Sequence, residues 1–84
     1  MDEKVKQALK EACEANKLVR LKLRYAGEDW AGWIRGVDAV TGKDYCICSF
    51  ERLLDPKAYE SNGTNTDTVP QTLPSFWIED VKPF

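Results

Sequence analysis

Residues 18–50 have the sequence LVRLKLRYAGEDWAGWIRGVDAVTGKDYCICSF. From residue 19 to residue 25 apolar and basic side chains alternate strictly. The apolar positions are Val19, Leu21, Leu23 and Tyr25, and the basic positions are Arg20, Lys22 and Arg24. A period of two is typical of an antiparallel β-strand with one buried and one solvated face. The stretch therefore predicts the first strand of a half-buried sheet.

Turn residues and glycines predict that this strand is followed by two more. The segments AGED (26–29) and TGKD (41–44) separate three strand-like runs, and Gly27 in the first turn is free to adopt a positive φ. Gly32 and Gly36 interrupt the second run. Glycines inside a strand mark a bulge or a sharp bend, which lets a small sheet curl. The pattern predicts a strongly bent, three-stranded meander.

The residues before the meander predict an amphipathic helix over residues 2–16. Its apolar positions recur with the spacing of one helical face, at Val5, Ala8, Leu9, Ala12 and Cys13. Asn16 can end the helix in a left-handed conformation. We expect this helix to pack across one face or open end of the sheet.

The residues after the meander predict a loop and a closing strand. Residues 55–74 contain three prolines, an Asn-Gly pair and a polar Thr/Asn run, which predict one long flexible loop. Residues 75–84 return to strand character, with Phe76 and Ile78 on one face. The fold prediction is mainly β: a single domain, residues 1–84, forming a small Sm-like antiparallel β-barrel from residues 18–54 and 75–84 with an N-terminal helix.

Length and composition narrow the location and the class of protein. The 84 residues suffice for one domain. They contain no apolar run near the ~20 residues of a membrane span, and no signal-peptide pattern. Three cysteines leave at least one thiol without an intramolecular partner, as is typical of a reducing compartment. We therefore expect a cytoplasmic protein that does not enter a membrane.

Charge is unevenly distributed along the chain. Residues 1–24 carry seven Lys/Arg and four Asp/Glu, whereas residues 25–84 carry five Lys/Arg and ten Asp/Glu. The net charge is −2, which argues against a globally basic nucleic-acid binder. One basic strand face and an acidic remainder still allow local recognition of an anion or of a charged protein.

Catalytic and metal chemistry are not indicated. The chain has no His, the commonest general base and metal ligand, so an enzyme mechanism would depend on carboxylates or a lysine. Cys13, Cys46 and Cys48 could supply three thiolates, but a structural zinc site needs four ligands, usually in close pairs. The sequence predicts neither an enzyme nor a metal or other cofactor, and the thiols are expected in the core.

One candidate site is a binding surface for an anionic ligand, a nucleotide or single-stranded nucleic acid. Its candidate residues are Arg20, Lys22, Arg24, Trp33, Tyr45 and Trp77. The basic row would contact phosphates, and a neighbouring aromatic ring would stack on a base. The alternative is an ordinary solvated strand face whose charges discourage edge pairing.

A second candidate site is acidic and would bind a protein partner. Its residues lie at turns and strand ends, at Glu28, Asp29, Asp44, Glu79 and Asp80. Carboxylates grouped in this way can attract a basic protein surface. The alternative is ordinary solvated loop charge.

Three segments resemble, in chain order, motifs of the WYL domain. These motifs are its first strand ending in Tyr, its namesake Gly-x-Trp-Tyr-Leu strand and its closing Phe-Arg-Leu-Asp-x-Ile strand, which are similar to residues 21–25, 42–47 and 76–81. The helix before the first strand also looks like the opening segment of that family. Asp44 and Cys46 stand at the Trp and Leu of the namesake motif, and Trp77 stands at the Arg of the closing motif. The resemblance covers most of the chain except residues 55–74, and it implies an Sm-like barrel that binds an anion or nucleic acid.

The chain also resembles the Rof family of small Rho-inhibiting antiterminators, which are Sm-like barrels of similar length. The resemblance rests on Glu11-Ala12-Cys13 in the helix and on the charged turn Gly27-Glu28. It implies an acidic surface that occupies the nucleic-acid site of a protein partner. A third hypothesis, a small structural protein-interaction domain, remains open beside these two.

Overall fold

The computed structural model describes residues 3–62 and 67–84. In chain order the elements are helix α1 (Glu3–Ala15), strands β1 (Leu18–Leu23), β2 (Trp30–Ala39) and β3 (Cys46–Leu53), helix α2 (Pro56–Asn62), strand β4 (Thr68–Pro74), a 3₁₀ turn (Ser75–Trp77) and strand β5 (Ile78–Pro83). None of the helices in these two ranges is both long enough and apolar enough to span a membrane.

All five strands in the described part of the chain belong to one antiparallel sheet in the order β4-β3-β2-β1-β5. The prediction of a mainly β fold with an N-terminal helix is confirmed. No ladder joins β4 to β5 within the described residues. The predicted closed barrel is therefore not confirmed, and the sheet is open along these two edges.

The connection between β4 and β5 shows that the sheet is strongly curved. In a flat five-stranded sheet the two edge strands would lie about 19 Å apart. The chain from Pro74 to Ile78 spans at most about 14 Å, and less because it contains a 3₁₀ turn. The sheet must therefore bend until the end of β4 and the start of β5 approach each other.

The core lies between the concave face of the sheet and α1. Its largest fully buried side chains come from α1 and all five strands, with Leu9, Leu21, Ile34, Phe50, Leu73 and Ile78 among them. Cys46 and Cys48 are buried as expected. The alternation predicted for β1 is confirmed at Val19, Leu21 and Leu23.

Helix α1 ends as its sequence predicts. Asn16 adopts a φ of 52°, in the left-handed region. Its N–H donates to the carbonyl of Cys13, and the N–H of Lys17 donates to the carbonyl of Ala12. These two bonds form a Schellman motif, which satisfies carbonyls at the end of the helix.

Glycines permit the bend and the close approach of β2 to β3. The ladder shifts register between Ile34 and Gly36, which confirms a bulge there. A Cβ at Gly32 would lie 1.9 Å from the carbonyl oxygen of Glu51, so only glycine fits. Among the described glycines a positive φ occurs at Gly42, at 75°, and Gly27 does not use the positive φ that is open to it.

The predicted loop over residues 55–74 is wrong at both ends. Residues 56–62 form α2 and residues 68–74 form β4, which pairs with β3 from Leu53↔Thr68 to Ile47↔Pro74. Prolines suit β4 because it is an edge strand, where a missing N–H faces solvent. The middle of the predicted loop, residues 63–66, lies outside the described residues.

Two aromatic side chains expected on the buried face are exposed. Tyr25 is 77% exposed, because β1 shifts register after Lys22 and ends at Leu23. Phe76 is 46% exposed, because residues 75–77 form a 3₁₀ turn and not a strand, so Phe76 does not share the face of buried Ile78. Both side chains are exposed because the backbone at these points does not have the two-residue repeat of a β-strand.

Candidate functional site

Four aromatic residues gather where β1, β2 and β5 meet, and we call this surface the aromatic end: Tyr25, Trp30, Phe76 and Trp77. The rings of Tyr25 and Trp77 meet edge to face, with centroids 6.3 Å apart. Trp77 is 43% exposed, and Tyr25 and Phe76 are exposed as well. Tyr45 joins the group through Phe76, with centroids 5.2 Å apart.

The 3₁₀ turn is held at both ends, and this orients its two aromatic side chains. The buried hydroxyl of Ser75 accepts a hydrogen bond of 3.1 Å from the N–H of Cys46 at the start of β3. At the other end, Arg24 donates its backbone N–H to the carbonyl of Trp77 and its Nε to the carbonyl of Phe76. These hydrogen bonds fix the turn without using the rings of Phe76 and Trp77, which leaves both rings free to face solvent.

A pocket of about 200 Å³ opens within the aromatic end. It is lined by Leu23, Tyr25, Ala26, Trp30 and Trp77. The guanidinium of Arg52 lies over the Trp30 ring at 4.6 Å from its centroid, and Arg52 also pairs with Glu28 at 3.3 Å. The pocket thus combines three aromatic rings with an adjacent, already neutralised arginine.

The predicted basic row is largely paired inside the molecule. Glu79 of β5 lies 3.0 Å from Lys22 Nζ and 3.9 Å from the Arg24 guanidinium. The hydrogen bond and charge of Glu79 raise the pKa of Lys22. In turn, the hydrogen bond and charge of Lys22 lower the pKa of Glu79. The guanidinium of Arg20 lies over the ring of Phe84, 5.0 Å from its centroid, and makes no ion pair with the residues that the structure describes.

The other predicted ligand-binding residues divide between two places. Tyr45 and Trp77 lie at the aromatic end. Trp33 instead belongs to the outer-face cluster, which we define as Trp33, Tyr59 and Phe84. Tyr59 of α2 meets Trp33 at 6.0 Å and Phe84 at 5.9 Å, both edge to face. The structure therefore does not unite the six predicted residues in one site.

Most of the predicted acidic residues surround the aromatic end. Glu28 and Glu79 are paired with Arg52 and Lys22. Asp29 and Asp80 add negative charge close by, and both raise the pKa of Lys22 after the larger effect of Glu79. Neither Asp29 nor Asp80 makes an ion pair within residues 3–62 and 67–84. Asp44 is exposed in the turn between β2 and β3.

Sequence reasoning missed Tyr25, Phe76 and Arg52 as site residues. Strand alternation placed Tyr25 on the apolar face of β1, and Phe76 on the same strand face as Ile78. Pro74 followed by Ser-Phe-Trp was the available signal, since a proline at a strand end often precedes a change of backbone direction. Nothing local indicates Arg52, because it reaches Trp30 from another strand.

The cysteines show no sign of reactive or metal chemistry. All three are free thiols, and burial raises the pKa of Cys48 to about 12. Within the described ranges no three His, Cys, Asp or Glu side chains are grouped so as to hold a metal ion. A buried neutral thiol is a small apolar side chain and a poor nucleophile.

No protein-family model, curated protein or solved structure matches this chain. The geometry and charges of the described residues are therefore the observations that bear on function.

Proposed function

We propose that this chain is a non-enzymatic interaction module that binds a basic surface of a protein partner through its aromatic end. The observation that carries this proposal is the grouping of three exposed aromatic side chains, Tyr25, Phe76 and Trp77, beside carboxylates that make no ion pair among the described residues. Tyr and Trp dominate the binding energy of protein interfaces, and grouped exposed aromatics mark interaction sites.

The charges around the aromatic end favour a basic partner. Three cations and four carboxylates lie there, namely Lys22, Arg24, Arg52, Glu28, Asp29, Glu79 and Asp80, and Lys82 is near enough to help lower the pKa of Glu79. Glu28 pairs with Arg52, and Glu79 is shared by Lys22 and Arg24. Asp29 and Asp80 make no ion pair among the described residues, and a positive partner surface would complement these two carboxylates.

The same pairing disfavours nucleic acid at this surface. Nucleic-acid affinity depends mainly on cations that neutralise phosphates. Lys22 and Arg24 would have to leave Glu79 to do so, which would leave a carboxylate facing the phosphates. The carboxylates of the aromatic end agree with the Rof resemblance, which implies an acidic surface that blocks a nucleic-acid-binding partner.

A second candidate function is anion binding at Arg20, as the WYL resemblance implies. Arg20 lies over Phe84 and has no ion pair with the described residues. An oligonucleotide phosphate could pair with this guanidinium without displacing an internal carboxylate. This hypothesis places the ligand on the outer face of the sheet and not at the aromatic end.

We also propose a cytoplasmic location. The three cysteines are free thiols in the structure, and Cys46 and Cys48 are buried. Free buried thiols support a reducing compartment, where thiols stay unpaired.

Titration of the native Trp fluorescence with two ligands tests the proposal. One ligand is a nine-residue Arg/Lys/Ser peptide and the other a nine-nucleotide single strand, each at low and moderate salt. We expect the peptide to bind, more weakly at higher salt. The double variant Asp29→Asn/Asp80→Asn should weaken binding of the peptide, whereas the matched control Asp38→Asn/Glu60→Gln should not.

Two outcomes would reject the proposal. Absence of peptide binding at low salt is one. The other is peptide binding that is equal in the site variant and the control. Oligonucleotide binding that disappears in Arg20→Ala would instead support the anion-binding hypothesis.

A further inference from the structure

The pocket of the aromatic end is lined only by uncharged side chains. Tyr25, Trp30 and Trp77 contribute aromatic rings, and Leu23 and Ala26 complete the wall. The ring of Trp77 meets that of Tyr25 at 81°, so the two rings enclose a corner and do not stack on each other. Rings at such angles surround a small group on several sides.

Three aromatic rings of this chain, one of them in the pocket, already hold guanidinium groups. Arg52 lies over Trp30 at 4.6 Å, Arg20 over Phe84 at 5.0 Å and Arg35 over Trp33 at 5.8 Å. These distances are within the ~6 Å at which the negative face of a ring attracts a cation. Trp30 both lines the pocket and holds one of these guanidinium groups, so stacking of a cation on this ring already occurs.

The charges at the mouth of the pocket select a cation over an anion or a neutral group. Asp29 directly precedes Trp30 and makes no ion pair within the described ranges. Glu28 neutralises Arg52, and Arg24 is engaged by Glu79 and by the carbonyl of Phe76. An entering cation would therefore meet aromatic faces and, next to Trp30, the carboxylate of Asp29.

From this geometry we infer that the pocket receives one arginine or lysine side chain of the basic partner, with its cationic head against Tyr25, Trp30 and Trp77. This inference rests on the proposed function and names the contact that would anchor it. It also assigns different parts to the two exposed residues of the 3₁₀ turn: Trp77 lines the pocket, and Phe76 covers the surface beside it.

The test uses three small probes followed through the indole N–H signals of ¹⁵N-labelled protein. The probes are the Nα-acetyl methylamides of arginine, lysine and leucine, and Trp→Phe variants assign the three indoles. We expect the arginine and lysine probes to shift the signals of Trp30 and Trp77 but not that of Trp33. The leucine probe should produce a much smaller shift.

Aromatic-to-leucine variants locate the contact. Trp77→Leu should weaken binding of the basic nine-residue peptide about 5- to 10-fold, the change expected for loss of one cation–π contact with a tryptophan. Phe84→Leu, at a ring of the outer-face cluster, is the matched control and should change binding less than about 2-fold. The wild-type shifts remain informative even if Trp77→Leu is less stable.

The outcomes separate this inference from the proposed function. If the peptide binds but the single-residue probes leave Trp30 and Trp77 unshifted, the pocket inference is wrong and the proposed function stands. Equal shifts by the leucine and arginine probes would also overturn it, because the pocket would then select apolar groups. If the peptide does not bind at all, the proposed function fails and this inference fails with it.

Discussion

The two aromatic groups of this molecule have similar chemistry and opposite exposure. In the outer-face cluster, Tyr59 bridges Trp33 and Phe84 edge to face, and arginines lie over two of the rings. At the aromatic end, Tyr25 and Trp77 also meet edge to face, and an arginine lies over Trp30. The three outer-face rings are half-buried, whereas Tyr25 and Trp77 are exposed.

The difference comes from what covers each group. Helix α2 brings Tyr59 onto the outer face of the sheet, where strand alternation also places Ala31 and Leu53. These two residues are 2% and 1% exposed, although neither belongs to the main core. The outer-face cluster therefore forms a second small core. No described element covers the aromatic end in the same way, so its rings contribute little to folding and remain available for binding.

Truncating a side chain of the main core should have the largest effect on the free energy of unfolding. Leu21 is fully buried, so Leu21→Ala should lower the free energy of unfolding by about 2–4 kcal/mol. Urea unfolding followed by Trp fluorescence measures this loss. A smaller loss than for any change in the outer-face cluster would mean that the main core lies on the other side of the sheet.

Truncating the outer-face cluster should have the next largest effect. Tyr59→Ala removes two edge-to-face contacts and should lower the free energy of unfolding by about 1–3 kcal/mol. Tyr59→Phe is the control and should retain most of the stability, since the ring remains. If Tyr59→Ala were neutral, the outer-face cluster would not be a second core.

Truncating the aromatic end should barely affect stability. Tyr25 is 77% exposed, so Tyr25→Ala should change the free energy of unfolding by less than about 0.5 kcal/mol. The same variant should weaken binding of the basic peptide in the fluorescence titration. A loss of stability as large as that of Tyr59→Ala would remove the distinction between the two groups.

The smallest expected effect concerns pH and the Lys22–Glu79 pair. Because Lys22 lowers the pKa of Glu79, Glu79 stabilises the fold above the ordinary glutamate pKa of about 4.3, and this contribution disappears as pH falls through the lowered value. Lys22, with a raised pKa, contributes until alkaline pH. Thermal unfolding of wild type and Glu79→Gln should therefore differ slightly at pH 7 and converge in acid. A difference that grows in acid would contradict this pairing.

Local periodicity predicted the parts of the fold that depend on neighbouring residues. The alternation in β1, the helical face of α1 and the end of α1 at Asn16 are properties of a few consecutive residues. Strand β4 was predicted to be part of a loop, because its prolines and polar side chains have the composition of a loop. It pairs only because β3 offers it an edge, and that is tertiary information.

The candidate site was predicted in part for the same reason. The acidic residues and Trp77 were identified from the sequence, but the pairing of Lys22 and Arg24 with Glu79 depends on the alignment of β1 with β5. Exposure of Tyr25 and Phe76 depends on where the strand period breaks. Those breaks are set by a bulge and a 3₁₀ turn, which charge and hydropathy patterns do not specify.

The prolines of β4 have a consequence for association between copies of the chain. An edge strand exposes a row of N–H donors, which can recruit a strand from another molecule. Pro70 and Pro74 lie four residues apart in β4, where they pair with Glu51 and Ile47 of β3. Neither proline has an N–H to donate. A foreign strand would therefore find gaps in the donor row along this edge. The prolines that give β4 the composition of a loop thus protect this edge of the sheet against pairing with a strand of another copy.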